Sequence, residues 1–288
     1  MSEPLQAIVA LFGQPVAGNP TQYMLEKAFA QAGLDWRYLT LEVAPENLAD
    51  AFRGFRAMGF RGANLTIPHK VAAIPLLDEL SDAARRIGAV NCVTRVGDKL
   101  RGENADGKGF LRSLKEIVDP AGKQIVILGA GGAARAIAVE IGLNKPAKIT
   151  LVNRTPDRAG PLVDLIQQEL GVPAEFVPWQ GEYEIPAQAD VVVNATSIGM
   201  GNASGNPAGV PARVPVSFAQ AKPELVAADV IFSPANTRFL QTARDHGCRT
   251  LDGLGMLVNQ GVICFEIWTG LTPDAALMRE ALEEFLSV

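Results

Sequence analysis

Two groups of residues in this chain have types and spacings that could do chemistry. The first is Asn64-Leu-Thr-Ile-Pro-His-Lys70, followed by Asn91 in Gly88-Ala-Val-Asn91 and Asp106 in Asn104-Ala-Asp-Gly107. A lysine and an aspartate can manage a proton between them, while Asn64, Thr66 and Asn91 offer neutral donors and acceptors for hydroxyl groups. Pro68 suits the first position of a helix, which puts Lys70 in a first turn where the dipole disfavours an ammonium. Stability gives no reason for a lysine there; proton transfer does. Each residue also has a plain structural reading: Lys70 as an exposed side chain, Asn91 as a buried amide satisfied by a loop, Asp106 as a helix N-cap.

The second group is Gly129-Ala130-Gly131-Gly132-Ala133-Ala134, which fits G-x-G-x-x-G/A. The first glycine permits a tight turn, the second lets backbone approach a pyrophosphate, and the last small residue lets a helix pack closely on the sheet. The motif means little alone. Here an apolar strand over 125–128 precedes it, a helix over 133–143 follows, and another strand spans 148–152, as a dinucleotide site requires.

Stepping along the chain, strands over 7–12, 36–41 and 62–67 alternate with helices over 22–32 and 46–58, which is βαβαβ patterning and predicts a largely parallel sheet. Short helices over 69–77 and 82–87 lead to a strand over 89–96 and a hairpin through Gly97-Asp98-Lys99. A helix over 106–118 delivers the chain to the strand before the glycine motif. Beyond it come a helix over 156–170 and strands near 174–177, 190–194 and 225–232, then a helix over 238–246 and a strand over 249–251. These complete a doubly wound domain. The tract 201–215 is rich in Gly, Pro, Asn and Ala and reads as a mobile surface loop. Two final helices, 256–269 and 275–286, return to the first domain. The expected class is α/β with two domains: residues 1–105 completed by 254–288, and a Rossmann-like 106–253.

The chain has 288 residues, 48% hydrophobic and 20% charged, with a net charge of -5. That balance argues against a nucleic-acid surface or a polybasic membrane patch. Residues 125–143 are too interrupted by glycines, Arg135 and Glu140 to span a bilayer. Three cysteines without CxxC spacing suit a reducing cytoplasm, and two histidines make a His/Cys metal site improbable. Glu3 and the lack of a basic start argue against a signal peptide.

The end of the strand after the glycine motif distinguishes cofactors. An acidic residue there would suit NAD; this chain has Asn153-Arg154-Thr155, with Arg158 a turn later. Guanidinium groups bind a 2′-phosphate that a carboxylate would repel, so NADP is expected. Asp157 keeps NAD possible, and Thr155-Pro156 also reads as a simple cap and N1 pair.

Together these motifs resemble the shikimate dehydrogenase family. Asn64–Lys70 is similar to its N-x-T-x-P-H-K, Gly88–Asn91 to G-A-V-N, and Asn104–Gly107 to N-T-D-G with the threonine replaced. Asn153–Thr155 matches NRT, Asn194-Ala-Thr-Ser-Ile-Gly-Met200 matches N-A-T-S-x-G-M, and Asp252–Gln260 resembles D-G-x-x-M-L-x-x-Q. The matches keep family order over nearly the whole chain. The resemblance implies reversible NADPH-dependent reduction of 3-dehydroshikimate, with Lys70 and Asp106 as the acid/base pair. It also implies Thr66, Asn91, Gln260 and Asn64 around the substrate, and Thr196, Val230 and Gly253 around the cofactor. The implied partner is a cyclic hydroxy acid, and the implied assembly a monomer or homodimer.

Two departures stand out. Where the family has H-S-x-S-P, with two serines for the substrate carboxylate, this chain has Gly18-Asn19-Pro20-Thr21. Thr21 keeps a hydroxyl, whereas Asn19 substitutes a larger amide. The family tyrosine of D-x-x-Y-x-P is Phe232. Both bear on which acid is used, so quinate or an aminated analogue, with NAD or NADP, is the alternative. A non-catalytic NADP-binding sensor would have no reason to keep both Lys70 and Asp106.

Overall fold

The computed structural model describes residues 5–200 and 213–287. The chain divides into two units: one runs to Ala105 and resumes at Val258–Ser287, the other is Asp106–Leu257. The second crossing falls inside a helix, not at its start.

In the first unit, β1 (Ala7–Gly13), α1 (Thr21–Gln31), β2 (Trp36–Glu42), α2 (Leu48–Ala57) and β3 (Gly62–Leu65) follow the alternating pattern. They continue into α3 (His69–Ala72), β4 (Glu79–Leu80), α4 (Asp82–Ile87), β5 (Cys92–Val96) and β6 (Lys99–Glu103). The sheet order is β2-β1-β3-β5-β6-β4. Only β2-β1-β3 and the short β4-β6 pair are parallel; β5 runs antiparallel to both β3 and β6. The sheet is therefore mixed, because the hairpin through Gly97 reverses the chain where a crossover would have kept its direction. Phe12, Phe52, Phe55 and Phe60 fill the core on one side. Ser81 caps α4 by accepting from the Ala84 N–H.

The second unit contains α5 (Ala105–Lys115, straddling the boundary), β7 (Gln124–Leu128), α6 (Gly132–Leu143), β8 (Lys148–Asn153), α7 (Pro156–Gln168) and β9 (Ala174–Pro178). Then follow β10 (Tyr183–Glu184), β11 (Val191–Asn194), β12 (Val216–Ser217), β13 (Val226–Asp229), α8 (Arg238–Asp245), β14 (Arg249–Leu251) and α9 (Gly253–Thr269), which crosses into the first unit. The last helix, α10 (Ala275–Leu286), lies wholly in the first unit and is capped by Asp274.

The main sheet here is β14-β13-β11-β7-β8-β9, parallel throughout. Setting aside the small parallel pair β10-β12, that is the 3-2-1-4-5-6 order of a Rossmann-like doubly wound domain. Its strands read as continuous apolar runs because both faces are covered. The β10-β12 pair was not anticipated; two residues per strand are too few to show a period. Most of the tract read as a mobile loop (201–212) lies outside the described residues. Its end does not fit that reading: Val214 is buried and packs with Trp179 and Phe218.

Candidate active site

In the first unit, the C-terminal ends of β1 and β3 are tied side by side. Thr66 N–H donates to the Phe12 carbonyl at 3.0 Å, and Gln14 N–H to the Ile67 carbonyl at 2.9 Å. This is the end of an open parallel arrangement where ligands bind. Asn19 lies in the loop leading to α1, where its Oδ1 accepts from the Thr21 N–H at 3.0 Å.

Asn64 is the hub. Its Oδ1 accepts from the buried Tyr38 hydroxyl at 2.8 Å, and its Nδ2 donates to the Asn91 carbonyl and to Cys264 Sγ, both at 3.1 Å. Gln260 Nε2 donates to the same sulfur at 3.1 Å. Burial pushes the Tyr38 hydroxyl well above its usual range, which keeps it a donor. Asn91 Oδ1 in turn accepts from the Ala105 N–H at 2.6 Å. The side-chain oxygen of Asn91 is thus engaged by the first residue of α5 and not by a loop, and Asn91 precedes β5 instead of lying within a strand.

Lys70 is half-buried, and its carbonyl accepts from the Val90 N–H at 2.7 Å. The helix that carries it, α3, is only four residues long, shorter than the sequence reading of 69–77. His69 is fully buried, and its Nε2 donates to the Val43 carbonyl at 2.8 Å. Asp106 does not precede its helix. Since α5 begins at Ala105, Asp106 lies within the first turn, so the N-cap reading fails by position.

In the second unit, Gly129 ends β7 with φ of 107°, and a Cβ there would sit 3.1 Å from the Ala195 carbonyl oxygen and 3.0 Å from the Thr196 methyl. No other residue type fits that turn. It lies between β7 and β11, where the strand order reverses. Gly131 heads α6 with no side chain to cap it, and Gly131 and Gly132 face open space. First-turn amides are then available to an anion. Ala130 and Ala133 are half-buried, and Ala134 is fully buried under the sheet.

At the end of β8, Asn153 Nδ2 donates to the Thr155 carbonyl at 2.9 Å. Thr155 precedes α7, yet its hydroxyl makes no capping bond, so the capping reading of this residue is not realised. Arg154 and Arg158 are exposed and have no ion pair among the described residues. Asp157 is exposed beside them.

Two further buried groups organise the second half of the sheet. Asn194 Nδ2 donates to Asp229 Oδ1 at 3.0 Å, and its Oδ1 accepts from the Thr196 hydroxyl at 2.7 Å. The Thr196 hydroxyl also accepts from the Ile198 N–H, so it braces the loop. Val230 N–H donates to the Asn194 carbonyl at 3.1 Å. Gly253 permits the start of α9 to touch this edge: a Cβ would lie 2.5 Å from the Ile231 carbonyl. Phe232 is half-buried in the loop after β13. Tyr38, Cys264 and Asp229 were not singled out from sequence. For Asp229 a signal existed, an ionisable residue closing an otherwise apolar strand; for Cys264, inside an apolar helix, there was none. No group of His, Cys, Asp and Glu suited to a metal occurs among the described residues, and no helix there is long and apolar enough to cross a membrane.

A Rossmann-ordered unit with an open glycine turn, joined to a mixed-sheet unit with a polar strand end, defines a two-domain α/β oxidoreductase. The shikimate dehydrogenase substrate binding domain family matches residues 11–93, the shikimate / quinate 5-dehydrogenase family residues 112–200, and the shikimate 5′-dehydrogenase C-terminal domain family residues 253–283. The NADP(+) shikimate dehydrogenase of Moorella thermoacetica is 42% identical, covering 96% of this chain and 92% of its own. The ligand-free 5-ketofructose reductase of Gluconobacter sp. strain CHM43 superposes with a TM-score of 0.92 at 48% identity, over 98% and 99% of the two chains. The quinate dehydrogenase of Corynebacterium glutamicum in complex with NAD gives 0.85 at 32%, over 98% and 99%. The chain belongs to the shikimate/quinate dehydrogenase family.

Proposed function

We propose that the chain is an NADP-dependent shikimate dehydrogenase-type enzyme that reduces 3-dehydroshikimate to shikimate reversibly. When bound, NADPH supplies the hydride. Negative charge then develops on the carbonyl oxygen and must be met by a donor. Lys70 donates that proton, and Asp106 orients the ammonium and accepts from a neighbouring hydroxyl. Thr66, Asn91 and Gln260 bind the remaining hydroxyls and the carboxylate, to which Thr21 adds its own hydroxyl. Arg154 and Arg158 take the 2′-phosphate, with Asn153 and Thr155 beside it, and the Gly129–Ala134 turn takes the pyrophosphate.

One observation carries this reading. The neutral network of Asn64 and Asn91 holds the chain at the two places where the acid/base groups are attached. Val90, beside Asn91, fixes the Lys70 carbonyl, and Asn91 fixes the amide of Ala105, the residue before Asp106. Preorganisation of this kind is what positioned proton transfer requires.

A second reading is favoured by a specific feature. Asn19 Oδ1 already occupies the Thr21 amide, an acceptor where an anionic substrate group would otherwise find a donor. An uncharged ketose fits such a site better than a carboxylate, as does the likeness to the 5-ketofructose reductase. The test is kcat/KM for 3-dehydroshikimate, shikimate, quinate, an aminated analogue and 5-ketofructose, each with NADP(H) and NAD(H). Highest efficiency with the shikimate pair and NADP(H) supports the first reading. A preference for 5-ketofructose moves the substrate to the second, and quinate with NAD(H) overturns both.

A further inference from the structure

At the end of β13 the second unit holds a buried carboxylate that hydrogen bonding alone does not require. Asp229, 1% exposed at the end of β13, accepts from Asn194 Nδ2 at 3.0 Å, from the Ile231 N–H at 3.1 Å and from the Thr237 hydroxyl at 2.7 Å. Every one of these donors is neutral, and no cation pairs with Asp229 among the described residues. Burial pushes its carboxyl up to about 6, against the pull of its donors. The charge is therefore present at neutral pH and is held at a cost. Asparagine would keep the carbonyl for Asn194 and Ile231 and turn an amide toward Thr237, whose oxygen has a second lone pair beside the one given to the Leu240 N–H. A charge that packing does not need points to an electrostatic task.

Its place in the sheet suggests which. A sheet in this order comprises two mononucleotide-binding halves. The half β7-β8-β9 ends in the glycine turn and in Arg154, which fit the phosphates and the adenosine side. The half β11-β13-β14, which Asp229 closes at its centre, is left for the nicotinamide nucleotide. Oxidised nicotinamide carries a positive charge on its ring and reduced nicotinamide does not. An unpaired buried carboxylate attracts that charge across several ångströms of poorly screened interior.

We propose that Asp229 sets the preference of the site between the two oxidation states of its cofactor, stabilising NADP+ relative to NADPH. It acts as an electrostatic positioning residue and takes no part in proton transfer. The inference rests on the dinucleotide reading above.

The experiment compares dissociation constants of NADP+ and NADPH at pH 8 for the intact protein and for Asp229→Asn. Loss of the charge is expected to weaken NADP+ by about tenfold while NADPH changes by less than about twofold. Thr237→Val removes the hydrogen bond to Asp229 and the cap on the Leu240 N–H but leaves the charge, and should keep the discrimination. Should Asp229→Asn not fold, Asp229→Ser reads the same quantity. Equal changes for both ligands, or none, would overturn the proposal, since a purely structural role cannot tell the two apart. Failure of the intact protein to bind either form would instead defeat the dinucleotide reading itself.

Discussion

Each unit has a buried asparagine near the end of a central strand, Asn64 in β3 and Asn194 in β11, and each uses it to hold adjacent loops. The networks differ in charge. Around Asn64 the partners are a phenol, a carbonyl and a thiol, whereas Asn194 donates to a carboxylate. A neutral network fixes geometry without imposing a field, which suits the proton transfer proposed for Lys70 and Asp106. A network with a fixed charge adds a constant potential, which suits a ligand whose own charge changes. Ordering loops is common to both; the field belongs to one.

The sharpest break is at the reacting groups. Lys70→Ala should lower kcat by about a thousandfold while leaving the melting temperature and substrate KM nearly unchanged. Steady-state kinetics beside a thermal melt decides it, and unchanged kcat removes Lys70 from its role.

Exchanging charge between the networks comes next. Asn64→Asp puts an oxygen where Nδ2 now donates to the Asn91 carbonyl, and should cost about 4 kcal/mol of stability in urea unfolding at pH 8. The reverse exchange, Asp229→Asn, should stabilise. Burial lifts the folded carboxyl to about 6, above its ordinary value of 3.8. Its contribution is therefore fully present below about pH 4 and lost as pH rises through about 6. Removing the group should gain up to about 3 kcal/mol at pH 8 and nothing near pH 4. A flat difference between the two pH values would contradict the burial argument.

The smallest expected effect is at the exposed end of β8. Arg154→Ala or Arg158→Ala should raise KM for NADPH by about tenfold each and leave that for NADH unchanged. Equal effects on both cofactors would assign the arginines to general steering instead of the 2′-phosphate.

Much of this was legible in the amino-acid order. The alternation of apolar runs with helical periods gave the α/β class. Gly129–Ala134 and Asn153–Arg158 lie contiguously in the chain, because a strand-turn-helix unit is built from local residues. The hairpin that sets β6 against β5 was legible at Gly97, but the antiparallel pairing of β5 with β3 was not, since that direction depends on which edge is free and not on the strand's own pattern. Asp106 was read as lying outside its helix for a related reason: the Ala105 amide at the start of α5 is bound by the Asn91 side chain, which reaches it from just before the neighbouring strand β5.

The sequence by itself determined the elements, the glycine turn and the polar residues that could do chemistry, because each is encoded by near neighbours. Only the tertiary structure decided which of those residues are already occupied and which remain available. Asn64 and Thr196 are engaged within the fold, Asn19 closes over the amide of Thr21, and Asp229 is buried without a cation. The Asn19 and Thr196 bonds span two residues, but burial and the partners of Asn64 come from distant segments brought together, and no reading of adjacent residues contains those.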